Sequence, residues 1–363
     1  MYQESGGGMD SYDIAQWLLR NAGPSIRFRT LVDILNEQDV GVIGHALNEM
    51  LQSPDVSKWI EHLTPQFDFN SIHSSRIDAF ENVMGKLVQL GLRAGLQPFD
   101  SKTLPFRVWL SENLEAAPEK PHAIFLRTII ASFLAYAGYG STQPVYEHMI
   151  RRLESFYEFA KDPNFSRIFV DKTDYKGVPK NSECELVNPE LYPDQRFMLP
   201  WIHDIRGIAS SKDIMDNKDH RYKLDKIIEL VLTKEFQGLP WSYGLAKYGS
   251  RYYVLGWAAH LPGYSEEPKG RQFAELLLTL EFMAKFPAAR KSKWFSRSTK
   301  YLETFETDRG TYLFPRGWLS EKKTSYWVGG TRMMFDERKG NPKAIECEST
   351  FHMLRIQQTI MEN

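Results

Sequence analysis

Apolar residues recur at steps of three and four along most of this chain, and that spacing confines it to helices packed on helices. In DIAQWLLRNAGPSIRFRTLVDILNE two helices meet at Gly23-Pro24. Proline suits a first helical turn, and Ile26, Thr30, Leu31, Ile34 and Leu35 then share one face. Phe80, Val83, Met84, Leu87 and Leu90 form a second stripe, and Tyr146, Met149, Leu153 and Phe156 a third. Phe273, Leu276, Leu277, Leu280 and Met283 mark another helix, followed by one carrying Trp294, Phe295, Tyr301 and Leu302. HAIFLRTIIASFLAYAGYGSTQP is apolar nearly all round, which predicts a helix buried on every side. The turns at Gly95 and Gly138 fall 43 residues apart, a period typical of helical hairpins. Stacked hairpins give either an open solenoid or a closed ring of inner and outer helices.

Organisation follows from where this period is interrupted. Residues 1–12, with a glycine run and a second methionine at Met9, read as a flexible lead. Residues 13–162 and 221–363 read as two runs of hairpins. Residues 163–220 are rich in Pro, Asp and Asn and read as an irregular insertion or cavity cover. A net charge of −1 gives no field that would gather nucleic acid. No apolar run approaches the roughly 20 residues of a membrane span. Two cysteines make no disulfide framework, and the opening residues lack a secretory pattern, so a cytoplasmic protein is expected. No cofactor or metal motif is present, nor a Walker loop, Rossmann fingerprint or close Cys/His cluster.

Aromatic residues, 13% of the chain, concentrate where chemistry is expected. EFQGLPWSYGLAKYGSRYYVLGWAAHLPGY holds Trp241, Tyr243, Tyr248, Tyr253 and Trp257, with Arg251 among them. A plain core would use Leu, Ile and Val. Rings in such number line a cavity, where their faces stack on a ligand or stabilise a cation, or they fill the wedge between splayed helices. In LPWIHDIRGIA, His203 and Asp204 follow Trp201. An acid among rings in a dry cavity has a raised pKa and can donate a proton; the alternative is a helix-start aspartate beside a surface histidine. TYLFPRGWLSEKKTSYWVGG sets Arg316 among Tyr312, Phe314, Tyr326 and Trp327, either a lid gripping an anion or a ring-anchored surface loop. The run KFPAARKSKWFSRSTK, residues 285–300, holds six basic residues and no acid, either an anion site or a solvated face.

Two segments carry a resemblance. LDKIIELVLTKEFQGLPWSYG ends a helix in a polar turn with Gln237 and Gly238 before Trp241; SRSTKYLETFETDRGTYLFPRG repeats the plan 71 residues on, at Tyr312. This resembles the Gln-Trp repeats of the squalene cyclase and protein prenyltransferase β-subunit superfamily, with Glu306 and Tyr312 where the second repeat has Gln and Trp. GPSIRFRTLVDIL and AIECESTFHMLRIQQTIM are similar to the ends of bacterial prenyltransferase-like proteins. The resemblance implies an all-α fold, an α/α toroid of about five to seven hairpins around a central cavity. It implies no catalytic residue here. The family's Asp-x-Asp-Asp and Asp-Asp-x-x-Asp motifs are missing. Cys347 and His352 would point about 140° apart on a helix, which does not suit a zinc pair.

Three functions stay open. One is a terpene-cyclase-like or prenyltransferase-like protein, with an apolar, isoprenoid ligand among Trp241, Tyr253, Trp257 and Tyr312 and Asp204 as proton source. Another is a carbohydrate-active toroid with two carboxylates flanking a sugar. The last is a non-catalytic helical-repeat binder of a ligand or peptide, so whether the chain is an enzyme is open.

Overall fold

The computed structural model describes residues 10–115, 122–179, 182–193, 196–319, 321–336 and 338–362. Most of the expected lead, with Met9 and the glycine run, lies outside the described residues; the first helix, Ser11–Asn21, begins inside the span assigned to that lead. Asp10 caps it, its side chain accepting from the Asp13 amide. The break at Gly23-Pro24 is where the sequence places it, and Pro24 opens the helix Pro24–Arg29. That helix runs on as a π-helical turn, Thr30–Ile34.

Two helices occupy the middle of the molecule. In Phe80–Leu90 the apolar stripe is buried as expected, but so are Glu81, Asn82, Lys86 and Gln89 on the remaining faces. Their polar atoms are met by neighbouring segments: Gln89 donates to the Met333 carbonyl at 2.7 Å and Asn82 to the Ser74 carbonyl at 2.9 Å. Gly91 ends the helix at φ +118°, a left-handed cap that glycine adopts at least cost. The helix His122–Leu134, which the sequence predicts to be enclosed, buries Ile129, Ile130, Ala131, Phe133 and Leu134 completely. It too continues into a π-helical segment, Ala135–Tyr139.

The chain's ends meet. Ile14, Trp17 and Leu18 pack with Phe335, Cys347, Phe351 and Leu354 in a cluster separate from the main core. Lys343 donates to the Asn21 side chain at 2.8 Å and Arg355 to the Asp33 carbonyl at 3.1 Å. The last helix is Ala344–Glu362.

The fold is mostly helical, as the all-α expectation has it, with one small sheet beside the helices. Among the described residues four short strands form one sheet in chain order: β1 (Phe169–Val170), β2 (Leu186–Val187), β3 (Gly244–Tyr248) and β4 (Arg251–Leu255). β1 and β2 are antiparallel, β2 and β3 parallel, and β3 and β4 form a hairpin with Tyr248 opposite Arg251. The hairpin turn is Gly249-Ser250, with the glycine at φ +57°. A two-residue turn with glycine first, ahead of the β-favouring Tyr252, Tyr253 and Val254, is a hairpin pattern that the prevailing helical period obscured. Residues 163–220 are not uniformly irregular: Ile202–Ala209 is a helix buried along its length. Among the described residues no helix is long and apolar enough to cross a membrane.

Candidate functional site

Three segments distant in sequence are tied edge to edge by backbone bonds. Ile202 donates to the Trp257 carbonyl at 3.1 Å and Ala258 to the Trp241 carbonyl at 2.9 Å, while Trp201 bridges Ala258. This brings Trp201, Trp241 and Trp257 to one place. With Phe69, Phe125, Tyr253 and Tyr326 they wall a cavity of about 570 Å³. Trp257 is its hub: its ring lies 4.5 Å from Trp241, 4.7 Å from Tyr326 and 5.5 Å from His73. Its backbone sits at φ +69°, in the left-handed region. For a bulky side chain that costs about 1–3 kcal/mol, and such strain gathers at functional sites.

His73 is the wall's one imidazole, and it has a fixed orientation. Asn82 on the helix Phe80–Leu90 donates to the carbonyls of Ser74 and Arg76, pinning the loop that carries His73 against that helix. Nε2 of His73 accepts from the Trp257 indole N–H at 2.9 Å. The proton of a neutral ring therefore sits on Nδ1, which lies 2.7 Å from Glu81 Oε1, near enough for charge attraction though off the line of a well-aligned bond. The other oxygen of Glu81 is 3.3 Å from His203 Nε2. Burial pushes the Glu81 carboxyl up, but His73 and His203 outweigh it and leave it below its ordinary value. Burial holds His203 below its usual value, so it is neutral near pH 7. The three form a buried line behind the rings: His73 at the wall, Glu81 beneath it, His203 beyond.

The structure sorts the candidate residues of the sequence. Trp201, Trp241, Tyr253, Trp257 and Tyr326 are brought together around the cavity. Tyr243 is fully buried behind it, its hydroxyl donating to the Pro200 carbonyl at 2.6 Å. Tyr248 and Arg251 face each other at the hairpin tip and do not line it. Tyr312 and Phe314 lie on the last helix instead, their amides donating to Thr350 and Ser349. Arg316 is exposed and lines no part of the cavity. Trp327 is buried, donating to Gln89 Oε1 at 2.8 Å and packed on Gly85, where a Cβ would meet its ring at 2.3 Å.

Asp204 is no proton source in this arrangement. Both oxygens take Arg152 at 2.9 Å, and one also accepts the Trp201 amide. It starts the helix Ile202–Ala209 and steers Trp201, with every lone pair that faces a donor already used. His203 is not on the surface but wholly buried. The basic run 285–300 divides: Lys285 turns inward to the Ala209 carbonyl, while Lys291, Lys293, Arg297 and Lys300 line a shallow surface hollow.

Sequence reasoning missed Phe69, His73, Glu81 and Phe125. Glu81 adjoins the apolar stripe of its helix, and only its burial against His73 sets it apart. Cys184 and Cys347 are both free. Among the described residues no group of three or more His, Cys, Asp or Glu side chains could hold a metal ion. No family model, curated protein or solved structure matches the chain.

Proposed function

We propose that this chain is a terpene-cyclase-like α/α toroid whose aromatic cavity binds a small, mainly apolar ligand of isoprenoid type. The observation that carries the reading is the cavity wall: seven aromatic side chains and one imidazole, with no carboxylate among the described residues that line it. A sugar-cleaving site would set two carboxylates at about 5–5.5 Å or 6.5–9.5 Å across the cavity. Ring faces at van der Waals distance suit a polyene, and each contact with a developing cation contributes about 0.5–2 kcal/mol. Support for the ring closure comes from the packing of the first helix on the last. Gln237 supports it too, accepting from the Leu261 amide and donating to the Val231 carbonyl at the end of Lys218–Val231, the capping role of the Gln-Trp turn.

His73, rather than Asp204, is the group placed to move a proton. Glu81 orients it, and Trp257 caps the nitrogen that would act. A ligand that draws the indole N–H away frees Nε2 as a base.

Native mass spectrometry of the protein mixed with farnesol, and separately with maltotriose, tests the reading. A one-to-one farnesol complex, weakened at least about tenfold by Trp257→Ala, is the expected result. Retention of maltotriose but not farnesol would overturn it, as would a farnesol complex indifferent to Trp257→Ala.

A further inference from the structure

A second cavity of about 250 Å³ has the opposite chemistry. From the aromatic wall a line of touching rings leads to it: His203 to Phe133 at 6.2 Å, Phe133 to Trp327 at 5.9 Å, Trp327 to Tyr136 at 5.7 Å. Among the described residues five cations line it: Arg29, Arg93, Arg206, Lys285 and Arg355. Two carboxylates, Asp33 and Glu281, oppose them. Asp33 is used by Arg29 Nε at 2.7 Å and Arg93 at 3.0 Å; Glu281 lies 3.5 Å from Arg355 and 3.8 Å from Arg29. The lining is left with three more positive charges than negative.

Arg206 holds the surplus. It is 2% exposed, and its Nε is bonded to nothing. Among the described residues no carboxylate lies within ion-pair reach of its guanidinium; Glu281 and Glu275 act on it only through space. Rings surround it instead: its central carbon lies 4.7 Å from Trp327, 4.8 Å from Phe282 and 5.5 Å from Tyr136. Aromatic faces orient a guanidinium and offset part of its desolvation, but they do not replace hydrogen-bond acceptors. A buried guanidinium with an unbonded Nε, at a cavity already rich in cations, is stabilised by an anion beside it.

The backbone points the same way. The two π-helical segments, Thr30–Ile34 and Ala135–Tyr139, both border this cavity, supplying Asp33 on one side and Tyr136 to Gly138 on the other. Such turns inside α-helices recur at functional sites because the extra residue re-aims side chains.

We infer that this cavity binds a phosphate group, as the free ion or on a small monoester, with Arg206 as its principal ligand and Arg93, Arg355 and Lys285 around it. The planar guanidinium fork matches a phosphate's oxygens, and the volume of about 250 Å³ admits that group with a small organic substituent. This site stands apart from the isoprenoid reading of the aromatic cavity.

Calorimetric titration of the full-length protein with inorganic phosphate, at ionic strength held by sodium chloride, tests it. Saturable binding with Kd below about 1 mM is expected. Glycerol 3-phosphate binding more tightly than phosphate assigns the site to a monoester; the reverse assigns it to the free ion. Arg206→Met should weaken binding at least about tenfold, and Lys300→Gln on the surface hollow should leave it unchanged. Should Arg206→Met not fold, Arg93→Gln at the cavity rim serves instead, with a loss of about threefold or more expected. No saturable phosphate binding overturns the inference. So does wild-type affinity in the Arg206 variant, or in Arg93→Gln where it substitutes, and so does loss of binding in Lys300→Gln.

Discussion

The aromatic and basic cavities are linked by a line of rings through Phe133 and Trp327 yet obey different rules. In the aromatic one, ionisable groups are paired behind the wall: Glu81 answers His73 and His203, and Asp204 answers Arg152. In the basic one, among the described residues, cations outnumber acids and Arg206 is left without a counterion. Burial moves several groups there: Lys285 falls below its usual pKa, and Tyr136 is pushed up to about 12. Balanced charge beneath a cavity holds its wall in place. Unbalanced charge facing a cavity awaits something from outside.

The sharpest test of that contrast is Asp204→Ala. It removes the counterion of a fully buried arginine and should destabilise the protein by about 3–5 kcal/mol in urea unfolding, with Trp201 losing its position. Stability near that of the wild type, with ligand handling lost, would return Asp204 to a chemical role.

Acid should strike the neighbourhood of the basic cavity next. His352, 4% exposed and facing Glu281, has its pKa pressed by burial from 6.5 to about 4. Its folded pKa is below its unfolded one, so the stability it contributes is present above pH 6.5. That stability is lost as pH falls from 6.5 to about 4, by about 3 kcal/mol over the window. His352→Gln should flatten the slope of urea-unfolding stability between pH 7 and pH 4; an unchanged slope would exclude this group.

Gly85→Ala probes the ring that links the two sites. Its methyl group would press into Trp327, at a cost of about 1–3 kcal/mol, and should weaken farnesol and phosphate binding together. An effect on one ligand alone would show that the cavities are mechanically independent.

The smallest effect is expected at the aromatic hub. Trp257→Phe keeps a ring but removes the N–H from His73, at about 1 kcal/mol in urea unfolding, and should leave phosphate affinity untouched. A change in phosphate affinity would mean that the two sites are coupled through the rings between them.

Much of this molecule is legible in one dimension. The step of three and four along Phe80–Leu90, the start at Pro24 and the enclosed helix His122–Leu134 follow from spacing and from what proline and apolar residues do locally. The density of rings over 241–257 is legible from composition, but whether they line a cavity or fill a wedge is not; Trp241, Tyr253 and Trp257 reach the cavity and Tyr243 lies buried behind it. SRYYVLGW reads as a short extended piece, and its pairing across Gly249-Ser250 with Gly244–Tyr248 is what the sequence reading did not reach.

The basic cavity has no such trace. Its cations at 29, 93, 206, 285 and 355 are separated by scores of residues, while the conspicuous basic run supplies only Lys285 and leaves the rest on the surface. Nor could spacing tell that Asp204 faces Arg152, or that Glu81 lies between two histidines.

By itself, then, the sequence determined the strongly periodic helices, the break at Gly23-Pro24 and where rings accumulate, because those depend on neighbours a turn or two away, while the helix Ile202–Ala209 escaped it. Tertiary structure alone decided which charges are answered and which are left facing a hollow. Electrostatic pairing depends on distance through space, and that distance is set only once remote segments have packed.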